Sequence, residues 1–379
     1  MLMTEEEKQE IIDRNKYLNS MSYEDKVKWA EYRIEEWAEI CEENGKNYAV
    51  SVGGLDSITL LIFVRKVLGD HVRGVSVSSL EDMSIQRIHK KLGVERIAST
   101  MGMTKVLNDV GFPIFSKGLA DDLEHLQIPP GEADYRKTYY NHALMTGETG
   151  PWGKFRKSEH MKLDDNILEL FGGAWASHRP DLQCKCAPFK VSAQCCKIMK
   201  EGPLHEWQEK NNVWPFLGMM QAEGGQRRYS LRKYGCNYVG KNTARSCPLN
   251  HFSRQDLLQL VLDLDVPVPE IYGTIERDKK GKLRTTKAQR TGCVMCGFGL
   301  HLEKRPHRFD RIYYADPKKW NFWMNSCCTD EAGNKYGWGR VCDYVGIEWR
   351  DPERFIPTDG QIPGQMSIQD FLGGEQWRA

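Results

Sequence analysis

Seven residues, Ser51-Val52-Gly53-Gly54-Leu55-Asp56-Ser57, combine two adjacent glycines with one carboxylate and two hydroxyls. Glycines let a backbone approach a ligand closely, and the free N–H groups and dipole of a helix opening there favour a phosphate. Asp56 and Ser57 would then supply a helix cap and a hydroxyl for a phosphate or metal-bound oxygen. The same residues also make an ordinary strand-to-helix turn. Position separates the two readings: ligands gather at strand C-terminal ends in open α/β sheets, so a place after the first strand favours a ligand.

Cysteine is the second source of chemistry. The chain has twelve, eight of them in the close pairs Cys184/Cys186, Cys195/Cys196, Cys293/Cys296 and Cys327/Cys328. The singles are Cys41, Cys236, Cys247 and Cys342. The N-terminal residues Met1 to Glu7 are acidic and helical in character, unlike a signal peptide, so a reducing cytoplasmic setting is expected. There, clustered thiols point to a metal or iron–sulfur site or to redox chemistry, and isolated ones such as Cys41 to buried packing.

Anion-binding side chains form the third group. Arg227 and Arg228 follow Gly224-Gly225 and could clamp an anion or simply sit on the surface. Lys279, Lys280, Lys282, Arg284, Lys287 and Arg290 precede Cys293. Asp278-Lys279-Lys280-Gly281 reads as a hairpin tip whose lysines need no function, whereas Arg290 could meet a sulfate or phosphate. Lys304 to Phe309 is a local basic stretch that could contact a nucleic-acid backbone or a nucleotide phosphate.

These groups need a frame. The chain is 379 residues long and 40% hydrophobic, enough for a sizeable core and too apolar for wholesale disorder. Lys and Arg total 53 against 52 Asp and Glu, which excludes a globally basic nucleic-acid coat. The apolar run Leu60 to Val64 falls far short of the roughly 20 residues of a membrane span. No membrane partner is expected. The first 45 residues read as two helices, opened by Thr4 with Glu7 and by Ser22, with Val27, Ala30, Ile34, Trp37 and Cys41 on one face and Gly45 as C-cap.

From Asn47 the pattern alternates. Strands are expected at 48–52, 72–77 and 96–99, and helices at 57–68 and 83–92, a βαβαβ rhythm that implies a doubly wound parallel sheet. Residues 115–190 show weak helical periodicity and read as an insertion over the sheet. Residues 213–219 resume the strands, and Ser253 caps a helix over 255–262. The expected organisation is a helical segment 1–45, a nucleotide-binding α/β domain 46–300, and a Cys- and Trp-rich segment 301–379 packed on the body.

Read together, the loop resembles the modified P-loop of the PP-loop ATP pyrophosphatases, whose usual form is Ser-Gly-Gly-x-Asp-Ser. Downstream come Cys195-Cys196-Lys197, Gly202-Pro203-Leu204, Trp207, the Gly- and Arg-bearing stretch 218–228, Cys247-Pro248-Leu249 and Gly292-Cys293-Val294-Met295-Cys296. In that order the set resembles the phosphoadenosine/adenosine phosphosulfate (PAPS/APS) reductase family over about residues 46–300. More closely, the chain resembles the reductase-like proteins encoded by phages and prophages of Gram-positive bacteria. The resemblance implies an adenosine nucleotide (PAPS, APS or ATP) held by Ser51, Gly53, Gly54, Asp56 and Ser57, with Arg227, Arg228 and Arg290 as further contacts. It also implies a [4Fe–4S] cluster on Cys195, Cys196, Cys293 and Cys296; zinc on the same thiols is the rival, and Cys184 or Cys186 could replace one ligand.

The chain departs from the family at several points. Val52 stands for the first serine, Leu55 for a frequent lysine, and Ser78-Ser79-Leu80-Glu81-Asp82 for Asp-Thr-Gly. Gly299-Leu300-His301 lacks the cysteine of the family's catalytic Glu-Cys-Gly-Leu-His, leaving Cys327, Cys328 and Cys342 as candidate thiols. The implied activity is reduction of a sulfonucleotide to sulfite with a thioredoxin-like donor. Sulfur transfer to nucleic acid using ATP, and a catalytically inactive nucleotide-binding regulator, are the alternatives.

Overall fold

The computed structural model describes residues 4–148, 160–241 and 243–355. They divide into two compact units, each made of two stretches of chain: residues up to 99 with 200–294, and 100–199 with the described residues from 295 onward. The N-terminal helices therefore share a unit with the sheet, and the segment after residue 300 shares one with 100–199.

The first unit is built on a six-stranded sheet. Its strands are β1 (Asn47–Ser51), β2 (Arg73–Ser76), β3 (Glu95–Arg96), β4 (Val213–Leu217), β5 (Asn237–Val239) and β6 (Ala244–Ser246), in the order β3-β2-β1-β4-β6-β5. Every pairing is parallel except β5 with β6. The register sets Val50 beside Gly74 on one side and Phe216 on the other. The expected α/β class is what the chain adopts. The third strand is shorter than expected, pairing at Glu95 and Arg96 only.

Alternation along β1 explains both layers. Val50 faces a large core with Ile34 and Trp37 of helix Tyr23–Glu43, Ile58 and Leu61 of helix Leu55–Leu68, and Leu257 and Val261 of helix Arg254–Asp263. Ala49 faces the opposite side, against Val75, Val213 and Trp207 of helix Gly202–Lys210. Helices thus cover both faces, as a parallel sheet requires. The caps match the residues: Thr4 with Glu7 and Ser253 with Asp256 form capping boxes, and Ser22 accepts from the Asp25 N–H. Gly45 lies one residue past the Asn44 C-cap at φ +62°, where only glycine is free of strain.

Polar groups buried beside these helices make stability depend on pH. His251 lies 2.9 Å from the Asn19 side chain, and burial, reinforced by Lys26, Arg14 and Arg33, pushes its pKa down to about 4. A histidine neutral in the fold and protonated when unfolded contributes stability at neutral pH that is lost as pH falls below about 6.5. Urea denaturation from pH 7 to 4.5 should therefore show a loss of up to about 3 kcal/mol that His251→Gln removes. Equal losses in both proteins would count against it.

The second unit is mainly helical. Residues 115–190, expected to be an insertion of weak periodicity, contain the helices Lys117–Leu126, Tyr135–Thr146 and Asp165–Phe171. The chain returns with Arg308–Ala315, Pro317–Asn325 and Trp338–Val345, and with the hairpin of β9 (Cys328–Thr329) and β10 (Lys335–Tyr336). Its centre is aromatic: Trp338 meets the rings of Phe112 and Phe309 edge-on, each at 5.0 Å. A further hairpin, β7 (Ile275–Arg277) with β8 (Leu283–Thr285), belongs to the first unit and confirms the turn at Asp278–Gly281.

Candidate nucleotide site

After β3 the chain crosses back, and β4 pairs on the free side of β1. Strand order therefore reverses between β1 and β4. A parallel sheet opens a crevice there, at the strand C-terminal ends. A cavity of about 560 Å³ occupies it, lined by Ser51, Gly54, Leu55, Asp56, Ser57, Gly218, Glu223, Arg227, Tyr272, Arg290 and Thr291 among others. Every lining residue belongs to the first unit.

The floor is the glycine loop, held from inside. Helix Leu55–Leu68 starts two residues earlier than its sequence suggests, with Gly54 as N-cap and no side-chain cap bond. Asp56 and Ser57 are thus first-turn residues rather than caps. The Gly53 N–H donates to Ser57 Oγ at 2.6 Å, and that hydroxyl donates to the Gly54 carbonyl at 3.0 Å. Asp56 turns to Arg254, whose Nη1 donates to it at 2.7 Å while Nη2 donates to the Gln289 carbonyl at 2.9 Å. Beneath the loop, His89 Nε2 donates to the Gly53 carbonyl at 2.8 Å, and burial holds that imidazole below its usual pKa.

Tyr272 closes one wall. Its hydroxyl accepts from the Leu55 N–H at 3.1 Å and lies 2.7 Å from Thr291 Oγ1. Burial and then the Asp56 charge push the phenol up to about 12, so it stays protonated. A Cβ on Gly54 would stand 2.5 Å from that hydroxyl. Gly54→Ala should displace Tyr272, break both bonds and cost about 1–3 kcal/mol, the range for overpacking. Urea unfolding should show that loss together with weaker nucleotide binding. Unchanged values of both would remove Tyr272 from the wall.

Cationic groups form the rim. Glu223, its side chain 6% exposed, accepts from Arg227 Nη1 at 2.5 Å and from Arg290 Nη2 at 3.1 Å. One carboxylate thus holds two guanidiniums at the mouth of the pocket. Arg228 is not among the lining residues: its Nε donates to the Gln221 carbonyl at 3.3 Å. Glu81, from the segment replacing Asp-Thr-Gly, is buried and paired with Lys200. Sequence reasoning missed Glu223, Arg254, Tyr272, Thr291 and Lys200. Arg254, directly after the Ser253 cap, Glu223, within the stretch 218–228, and Thr291, directly after Arg290, stood beside features already noted.

No cysteine is among the residues that line the pocket. Cys195, Cys196 and Cys296 belong to the second unit and Cys293 to the first. Cys195 is buried, with Sγ 3.9 Å from Met103 Sδ, while Cys196, Cys293 and Cys296 are half-buried. Among the described residues no three His, Cys, Asp or Glu side chains are grouped to hold a metal ion. Cys327, Cys328 and Cys342 are all buried in the second unit, and burial pushes the Cys342 thiol up to about 12. Cys184 is half-buried and Cys186 exposed. Within the basic stretch 304–309 Lys304 is exposed, whereas Arg305 pairs with the fully buried Asp310 at 2.7 Å and Arg308 pairs with Glu303.

No helix among the described residues is long and apolar enough to cross a membrane. No family model matches the chain, and no curated protein matches it. Among solved structures the chain is similar to the crystal structure of phosphoadenylyl-sulfate (PAPS) reductase from Candida auris in its phosphate complex. That match has 14% identity and a TM-score of 0.30, covering 74% of this chain and 98% of the other. So low a score bears no weight for fold or function, and the α/β class rests on the sheet order itself.

Proposed function

We propose that the pocket binds an adenosine nucleotide and that the protein reduces a sulfonucleotide, PAPS or APS, to sulfite. The pocket at the β1/β4 reversal carries this reading: a glycine loop at a helix N-terminus forms its floor, and two guanidiniums rim it. Ser51, Gly53, Gly54, Asp56 and Ser57 shape the floor, Asp56 and Ser57 by holding the loop rather than by touching phosphate. Arg227 and Arg290 would leave Glu223 for the phosphate or sulfate, because bidentate guanidinium contacts suit such anions.

Reduction needs a thiolate that attacks the sulfonyl sulfur, takes the sulfonate and releases the nucleotide. A thioredoxin-like dithiol would then free sulfite and leave as a disulfide. Cys327, Cys328 and Cys342 are the candidate thiols. Cys195, Cys196, Cys293 and Cys296 are the proposed ligands of a [4Fe–4S] cluster, which when bound would tune the electrostatics near the sulfonucleotide. No step is routed through it. A cytoplasmic location accords with this chemistry.

Burial of all three candidate thiols favours one second reading, a nucleotide-binding regulator without turnover. The readings separate when anaerobic protein is given PAPS and a dithiol. Sulfite release supports reduction, and tight nucleotide binding without sulfite supports the regulator. Pyrophosphate release from ATP stimulated by nucleic acid would replace both with sulfur transfer to nucleic acid.

A further inference from the structure

The peptide joining Gly53 to Gly54 has no side chain on either flank to fix it. Glycine takes positive and negative φ about equally well, so a peptide shared by two glycines turns over at little cost. Its neighbours are all engaged. The Gly53 N–H donates to Ser57 Oγ at 2.6 Å, and the Leu55 N–H donates to the Tyr272 hydroxyl at 3.1 Å. The Gly54 carbonyl accepts from the Ser57 and Ile58 N–H groups at 3.2 and 3.1 Å. The Gly53 carbonyl accepts from His89 Nε2 at 2.8 Å. From the Gly53 N–H to the Leu55 N–H, the Gly54 N–H alone has no hydrogen-bond partner among the described residues.

His89 is placed to decide where that open donor points. It lies in the last turn of helix Met83–Lys91, whose Ile85 and Ile88 pack into the core with Val50 and Leu61, and it is 2% exposed. Burial, with Lys200 acting in the same sense, outweighs the Gly53 carbonyl and Glu81 and holds the imidazole below its usual pKa. At neutral pH the ring therefore carries one N–H, and a carbonyl only accepts, which puts that hydrogen on Nε2. The Gly53–Gly54 peptide is trans, so its carbonyl and its N–H point opposite ways. Gly54 lines the pocket and His89 does not. A carbonyl held beneath the loop thus turns the Gly54 N–H toward the pocket.

We propose that His89 is a positioning residue of the anion site, fixing the Gly53–Gly54 peptide so that the Gly54 N–H meets the phosphate or sulfate of the bound nucleotide. The proposal rests on the nucleotide reading of the pocket. His89 touches no ligand and acts only through the loop. A peptide turned the other way would offer the anion a carbonyl oxygen in place of an N–H, exchanging attraction for repulsion. Two glycines let the backbone approach the anion closely, and the buried imidazole removes the freedom they bring.

The test compares the full wild-type chain with His89→Leu, which keeps bulk without a donor, and His89→Gln, whose Nε2 can stand in for that of the imidazole. Calorimetry with phosphoadenosine phosphosulfate, without a dithiol, should show His89→Leu binding about tenfold more weakly, the loss of about one hydrogen bond to a charged group. His89→Gln should stay within about threefold of wild type. Wild-type affinity in His89→Leu would overturn the proposal. Equal weakening in His89→Leu and His89→Gln would overturn it too, since the shape of the ring and not its N–H would then matter. Should His89→Leu not fold, His89→Asn, whose amide is too short to reach the carbonyl, takes its place. Crystal structures of the unliganded proteins supply the second arm. The Gly53 carbonyl should leave its wild-type direction in His89→Leu and keep it in His89→Gln, and an unmoved peptide in His89→Leu would overturn the proposal. This arm needs no nucleotide, so a wild type that binds none would remove the nucleotide reading while the peptide still decides the role of His89.

Discussion

Nucleotide affinity should fall at least about a hundredfold when Arg227 and Arg290 are both replaced by glutamine. A hydrogen bond to a charged group contributes about 1.5–3 kcal/mol, and each 1.4 kcal/mol is tenfold in affinity, so two such losses total about 3–6 kcal/mol. Glu223 adds to the effect. With both guanidiniums gone, its nearly buried carboxylate stays at the pocket mouth and repels an incoming phosphate. Calorimetry on the folded double variant reads the loss directly. Glu223→Gln should act in the opposite sense, releasing both arginines and tightening anion binding. A double variant that binds as well as the parent would detach the rim from the site.

Iron content carries the second large effect. Anaerobically purified protein should hold about four iron and four sulfide per chain, the stoichiometry of a Cys-bound cubane. Cys293→Ser with Cys296→Ser should abolish it, as should loss of Cys195 or Cys196. Cys41→Ser is the control, because Cys41 is fully buried on the inner face of helix Tyr23–Glu43, where burial alone pushes its thiol up to about 12. One zinc in a colourless protein would turn the site from redox to structural. Iron retained after both replacements would move the ligand set elsewhere, with Cys184 and Cys186 the first candidates.

The strand–loop–helix unit at 47–68 was legible because its signals agree: a short apolar run, two glycines, and a buried helix closed by Gly69. The same holds for the capped helix after Ser253. Where the helix at the loop begins was not legible. Asp56 looks like a cap in sequence, but Arg254, 198 residues away, draws it aside, and no local pattern carries that pairing. Tyr272, Thr291 and Glu223 were missed for the same reason, since they line the pocket only once the sheet has brought distant segments together. In the second unit, Ala120, Leu123 and Leu126 do form a buried stripe on helix Lys117–Leu126, spaced three residues apart. The helix Tyr135–Thr146 mixes aromatic and polar residues on every side, which hides its period.

The most direct measurement is a crystal structure of the anaerobically purified chain with phosphoadenosine phosphosulfate bound. The expected result is a nucleotide at the reversal between β1 and β4, its phosphate or sulfate oxygens over the Ser51–Ser57 loop and between Arg227 and Arg290, with Glu223 released from at least one guanidinium. A nucleotide bound at any other place, or a pocket left empty at saturating ligand, would contradict the account.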